Sequence, residues 1–189
     1  MARLAVPRAL AVGMAVGLAA VGLAGCGSST STSAGSASSA APTTSTKPAA
    51  SPLKGADWAK VTSFRCPAPD QKVLVDHVTY GDITGDGVPD AVVSLTCSTE
   101  TSSNPLRVEA FDGTSPQAHP RSLGVLVSET DPLYVEEAEV TIAQPTVTVS
   151  GKGVGPDAAL AAGAQVEFSQ TFTYQNGTMH PGPRKTGTG

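Results

Sequence analysis

Apolar and polar residues alternate along much of the second half of the chain, which is the pattern of half-buried β-strands. Short segments rich in Gly, Pro, Asn and Asp separate the alternating stretches, so the pattern predicts seven strands. Strands at this spacing favour a mainly β fold, with an antiparallel sheet that forms either a sandwich or a strongly curved single sheet. The predicted strands are 72–80, 91–97, 106–111, 122–128, 134–142, 146–150 and 165–174.

Helices are expected only at 57–62 and at 157–164, and the second is rich in Ala, a strong helix former. The last predicted strand runs into Asn176-Gly177, a strong signal for a hairpin turn. The Gly- and Pro-rich residues 182–189 are expected to form a flexible tail, which leaves a single β domain at 55–181. Trp58, the only tryptophan, is expected to cover the core from the N-terminal turn, or else to mark a ligand or partner surface.

The N-terminal segment 1–25 has the composition of a secretory signal. Arg3 and Arg8 precede an apolar run that ends in Leu23-Ala24-Gly25-Cys26. These four residues resemble the lipobox of bacterial lipoproteins. The resemblance implies that the Cys26 thiol carries a diacylglycerol with acyl chains such as palmitate, and that Cys26 becomes the mature N-terminus. An ordinary secretion signal, in which Cys26 is incidental, is the alternative.

Residues 26–54 would then comprise the lipidated cysteine and a linker composed mostly of Ser, Thr, Ala, Gly and Pro. Such a segment buries too little apolar surface to offset its ordering entropy, so we expect a disordered spacer. Loss of Arg3 and Arg8 with the signal changes the formal net charge from −4 to −6, ten bases against sixteen acids. An acidic chain with few aromatic residues provides no basic stripe for nucleic acid. The expected membrane contact is therefore through the lipid.

Two cysteines, Cys66 and Cys97, remain after Cys26 is assigned to the lipid. An even number of cysteines in an exported protein predicts a disulfide bond. Closing a loop of this length should stabilise the fold by about 3–4 kcal/mol in the chain-entropy model. A redox or metal pair is the alternative, but the chain has no Cys-x-x-Cys motif.

The loop between the first two strands carries the only constellation with site chemistry. Its oxygen donors occupy relative positions 1, 3, 5 and 9, and a glycine at position 6 permits a sharp turn. Oxygen donors in this pattern suit a hard cation such as Ca²⁺. The alternative is a plain turn whose side chains cap their own backbone amides. The candidate ligands are the side chains of Asp82, Thr84, Asp86 and Asp90, with the backbone carbonyl of Val88.

This loop resembles the strand-loop-strand calcium loops of FG-GAP and VCBS-type repeats over about 15 residues, 80–95. Thr84 stands where those loops carry Asp or Asn, and the motif occurs once. The segment Gly-Asp-x-Thr-Gly-Asp-Gly before a Val-rich strand that ends in Cys also resembles exported lipoproteins of high-GC Gram-positive bacteria. The resemblance implies a lipoprotein of unassigned role.

Enzyme motifs such as Gly-x-Ser-x-Gly, His-Glu-x-x-His and the Walker loop are absent from the sequence. We therefore expect a membrane-anchored extracytoplasmic lipoprotein that binds a partner or supports the envelope and is not an enzyme. The first alternative is a calcium-stabilised adhesion or interaction module, and the second is an uncharacterised hydrolase. The sequence names no protein or cell-wall partner.

Overall fold

Two four-stranded antiparallel sheets make up the structure, a computed structural model that describes residues 50–99 and 104–188. The mainly β prediction is confirmed, and two sheets form where the sequence allowed a sandwich or one curved sheet. The first sheet has the order β1-β2-β3-β4 and the second β5-β6-β7-β8. The predicted signal segment, Cys26 and most of the predicted linker lie outside the described residues.

Each sheet is a meander in which consecutive strands pair. In the first sheet, the strands are β1 (Val73–Gly81), β2 (Asp90–Cys97), β3 (Arg107–Phe111) and β4 (Ser122–Val127). The second sheet contains β5 (Tyr134–Ala143), β6 (Thr146–Val154), β7 (Val166–Gln175) and β8 (Thr178–Thr188). One turn of helix, α1 (Trp58–Val61), precedes β1, and a 3₁₀ turn at Leu160–Ala162 precedes β7.

A continuous apolar core lies between the two sheets. Strands β2 to β8 each contribute apolar side chains to this core, which is the expected packing of a sandwich. The sheets also meet at their ends, where the amide of Leu106 donates to the carbonyl of Val135 at 2.8 Å. At the β4–β8 side the Thr178 hydroxyl donates to the carbonyl of Leu123 at 2.8 Å. The core includes Ile83, Val92, Val108, Leu123, Val127, Val135, Val147, Val149, Phe168 and Phe172.

A second apolar core covers the opposite face of the first sheet. Residues 51–66, which we call the strap, lie over this face and bury Leu53, Trp58 and Phe64. The Trp58 ring centroid lies 4.9 Å from that of Phe111, so Trp58 covers the core as expected. Because both faces of β2 are covered, seven of its eight residues are buried, including the polar Asp90 and Ser94.

The predicted disulfide between Cys66 and Cys97 is confirmed. It joins the end of the strap to the last residue of β2, across a sequence separation of 31. The bridge therefore links the strap, which contains the single turn α1, to a central strand of the first sheet.

The outer face of the second sheet faces solvent. Its side chains are mostly hydroxyl-bearing or charged, and the Thr148 and Thr171 hydroxyls meet across β6 and β7 at 3.2 Å. On the edge strand β5, Glu137 and Glu139 are exposed, whereas Glu136 is half-buried. The outward residues include Glu137, Glu139, Thr141, Thr146, Thr148, Ser150, Lys152, Glu167, Ser169, Thr171 and Thr173.

The structure corrects the expected flexible tail at 182–189 and the domain end at 181. Residues up to Thr188 belong to β8, which continues the hairpin begun at Asn176-Gly177. The Gly and Pro residues that suggested a tail are tolerated because β8 is an edge strand, where an N–H that faces solvent has no ladder partner. The predicted helix at 157–164 is also shorter, a 3₁₀ turn at Leu160–Ala162.

An ion pair fixes β8 to the loop between the two sheets. Arg184 donates from both terminal nitrogens to the Asp131 carboxylate, at 2.5 and 2.6 Å. Arg184 also donates to the side chain of Gln170 at 2.9 Å and lies over the Phe168 ring, 5.4 Å from its centroid. Burial would raise the pKa of Asp131, but hydrogen bonds from Arg184 and from the Leu133 amide outweigh it and lower that pKa.

We predict that Asp131→Asn lowers the free energy of unfolding at pH 7 by about 1–3 kcal/mol, because it leaves a partly buried guanidinium without its charged partner. A carboxylate with a lowered folded-state pKa stabilises the fold above its unfolded pKa, about 3.9, and loses that effect as the pH falls through the folded value. Urea denaturation at several pH values should show the two proteins converging in acid. A difference in unfolding free energy between the two proteins that stays constant down to pH 2 would contradict this account.

Candidate acidic loop between the first two strands

Residues 82–89 connect β1 to β2 and contain the predicted site. Gly85 and Gly87 have φ of +84° and +83°, a conformation that favours glycine because a Cβ is strained there. Two left-handed residues so close together fold the loop back on itself. The fold directs backbone amides toward the side chains that start the loop.

The carboxylates of Asp82 and Asp86 accept hydrogen bonds from these amides. The Asp82 oxygens accept from Gly85 at 2.7 Å and from Gly87 at 3.0 Å. Asp86 accepts from the amide of Val88 at 2.8 Å, an Asx turn within the loop. Both side chains therefore satisfy donors that the turn would otherwise leave unpaired.

Asp90 has a different role from the other two aspartates. It is fully buried at the first position of β2 and accepts three backbone hydrogen bonds. One oxygen accepts from the amides of Ile83 and Thr84 at 2.8 and 2.9 Å, and the other accepts from Gly113 at 2.7 Å. The Asp90 carboxylate thus joins its own loop to the β3–β4 loop, 23 residues away.

Sequence reasoning missed the β3–β4 loop, which contributes Gly113. A Cβ at Gly113 would overlap the carbonyl of Pro89, so the close approach of the two loops requires glycine. The next residue back, Asp112, is buried and accepts from Arg121 at 3.0 and 2.5 Å. Burial would raise its pKa, but hydrogen bonds from Thr114 and Arg121 outweigh burial and lower it. The Asp112-Gly113 pair is the available signal in the sequence, and by itself it indicates only a turn.

The remaining candidate ligands are Thr84 and Val88. The Thr84 hydroxyl oxygen is buried and has no hydrogen-bond partner. Val88 is half-buried, and its amide is bound to Asp86. The loop therefore brings the predicted residues into one short segment of chain, but it uses their carboxylates to bind backbone amides.

The loop's hydrogen bonds account for all three aspartates without a cation. Among the described residues, no group of three or more His, Cys, Asp or Glu side chains is placed to hold a metal ion. Asp90 fits a ligand role poorly, because it is fully buried and both of its oxygens accept amides. A cation would have to use Asp82, Asp86 and the free Thr84 hydroxyl, so calcium binding stays a prediction.

The hydrolase alternative would need ionisable groups gathered in a cavity. A surface cavity of about 540 Å³ lies under the loop 155–165, and its ionisable side chains are Lys152 and Asp157. A second, of about 440 Å³, lies over β5, β6 and β7 beside Glu137, Glu139, Lys152 and Glu167. Both cavities are open to solvent.

Comparison with known proteins finds no matching family model, no matching curated protein and no matching solved structure. Within the described residues, no helix is long and apolar enough to cross a membrane. Function is therefore inferred from the residues of this chain alone.

We predict that Asp90→Asn lowers the free energy of unfolding by about 2–4 kcal/mol, because an amide nitrogen would face buried N–H donors and leave at least one unsatisfied. Asp86→Asn, at an exposed Asx turn, should change it by less than about 1 kcal/mol. Urea denaturation of both variants provides the measurement and its matched control. Equal effects at the two positions would show that Asp90 has no special role.

Proposed function

We propose that this chain is a lipid-anchored extracytoplasmic protein whose β domain binds a partner or supports the envelope. The observation that carries the proposal is the lipobox-like Leu23-Ala24-Gly25-Cys26 after a basic start and an apolar run. A diacylglycerol carried by the Cys26 thiol would hold the chain at the membrane surface, since two or more acyl chains give stable anchoring.

Two observations support the proposed anchoring outside the cytoplasm. The Cys66–Cys97 disulfide persists most readily in oxidising compartments outside the cytoplasm. The strap begins at Ser51, about 25 residues after Cys26, and a flexible chain of that length spans on the order of 28 Å. That distance would carry the domain past the lipid head groups, so contacts with other envelope components are the proposed role.

We predict that Cys26→Ser moves the protein from the detergent phase to the aqueous phase, or leaves it as an uncut precursor, because no thiol remains to carry the diacylglycerol. Phase partitioning and the intact mass of the protein measure both outcomes. The matched control is Cys66→Ser combined with Cys97→Ser, which removes two thiols but leaves the lipidation site. A Cys26→Ser protein that is mature and still partitions into detergent would overturn the anchoring proposal.

The second candidate function is a calcium-stabilised interaction module built on the acidic loop. The observation that favours it is the buried Thr84 hydroxyl, which lacks a partner and lies in the loop that also carries Asp82 and Asp86. A bound Ca²⁺ would supply that partner and neutralise two neighbouring carboxylates.

Under this second proposal, Ca²⁺ should raise the melting temperature and Mg²⁺ should do so much less. At one hundred times the dissociation constant the stabilisation is about 2.7 kcal/mol, which a thermal melt resolves easily. Asp86→Ala should abolish the shift, whereas Asp157→Ala, an exposed aspartate outside the loop, should leave it intact. A wild-type melt unchanged by millimolar Ca²⁺ would show that the loop is only a turn.

A further inference from the structure

The strap is attached to the sandwich differently from every strand. Among the described residues, its backbone–backbone hydrogen bonds stay within the strap, such as those from Lys54 to Ser51 and from Thr62 to Trp58. Direct polar contacts to the loops come from side chains. The Ser51 hydroxyl donates to the carbonyl of Pro89 at 2.8 Å, and Gln117 donates to the carbonyl of Pro52.

Apolar packing is therefore the main noncovalent attachment of the strap. Leu53, Trp58 and Phe64 are buried against the outer face of the first sheet, formed by residues such as Val93 and Leu95. The Arg107 guanidinium adds one contact, 5.8 Å from the centroid of the Phe64 ring. Apolar contacts of this kind can separate without breaking any hydrogen bond of the β-sheet ladder.

The two ends of the strap mark the two ends of β2. Ser51 bonds to Pro89, the residue before β2 begins, and Cys66 is bonded to Cys97, where β2 ends. A pull on the chain before Ser51 would thus act first at the noncovalent end and would meet the covalent bond last. The apolar side chains of the strap would therefore separate from the sheet one after another, starting from the end at Ser51, and not all together.

We propose that residues 51–65 are a mechanical release that opens under tension on the N-terminal chain before either sheet unfolds, and that the disulfide stops the opening at Cys66. Opening uncovers the apolar outer face of the first sheet and frees Pro89 and Gln117, which belong to the two loops joined by Asp90. The proposal rests on the proposed anchoring only for the source of the tension.

Single-molecule pulling tests the release directly. In the unlipidated chain that begins at Cys26, this residue is the free thiol, because Cys66 and Cys97 are bridged. One handle is attached there, at the proposed anchoring position, and the other after Gly189. We expect an early event that lengthens the chain by at most about 50 Å, the contour of fifteen residues, followed by a separate event at higher force. After reduction of the disulfide, the lengthening in the early event should no longer be limited to fifteen residues of chain.

Two substitutions at buried positions distinguish the early event from the later one. Trp58→Ala should raise the rate of the early event by at least about tenfold at a given force and leave the later event unchanged, because it removes the largest strap side chain from its packing. Val149→Ala, in the core between the sheets, should act on the later event alone. A single unfolding event, or an early event insensitive to Trp58→Ala, would overturn the release. Neither outcome bears on lipidation, which the Cys26→Ser partitioning experiment decides separately.

Discussion

The buried carboxylate of Asp90 is the interaction on which the architecture of this domain depends. An aspartate with no solvent exposure at the start of a central strand destabilises the fold unless its carboxylate oxygens accept hydrogen bonds. Three backbone amides supply those bonds, and they come from two different loops. One side chain therefore fixes how β2 enters the sheet and how the β1–β2 and β3–β4 loops meet.

The strand that begins at Asp90, β2, is buried on both faces of the first sheet. One face packs on the second sheet, while the other is covered by the strap and its disulfide. The sequence of a strand that is covered on both sides is a nearly continuous run of apolar residues, here Ala91-Val92-Val93-Ser94-Leu95. The strap supplies the covering layer that a second helix or sheet would supply in a larger domain.

Local signals in the sequence predicted much of the fold. Alternation located seven strands, and the even number of cysteines outside the lipidation motif predicted the disulfide. An edge strand rich in Gly and Pro, β8, was not recognised, because its composition is also that of a frayed tail. Hydrogen bonds between residues far apart in the chain could not be predicted from the sequence, for a different reason. Arg184 and Asp131 are 53 residues apart, and Gly113 and Asp90 are 23 apart, so no spacing rule connects them.

The uncovered face of the second sheet is hydrated chiefly by hydroxyl groups, such as the paired Thr148 and Thr171. Serine and threonine hydroxyls both donate and accept hydrogen bonds and carry no charge near neutral pH. Their interaction with water is consequently insensitive to pH and to the screening that weakens charged surfaces in salt. The hydroxyl groups on this face of the second sheet thus keep their hydration when the pH or the salt concentration changes.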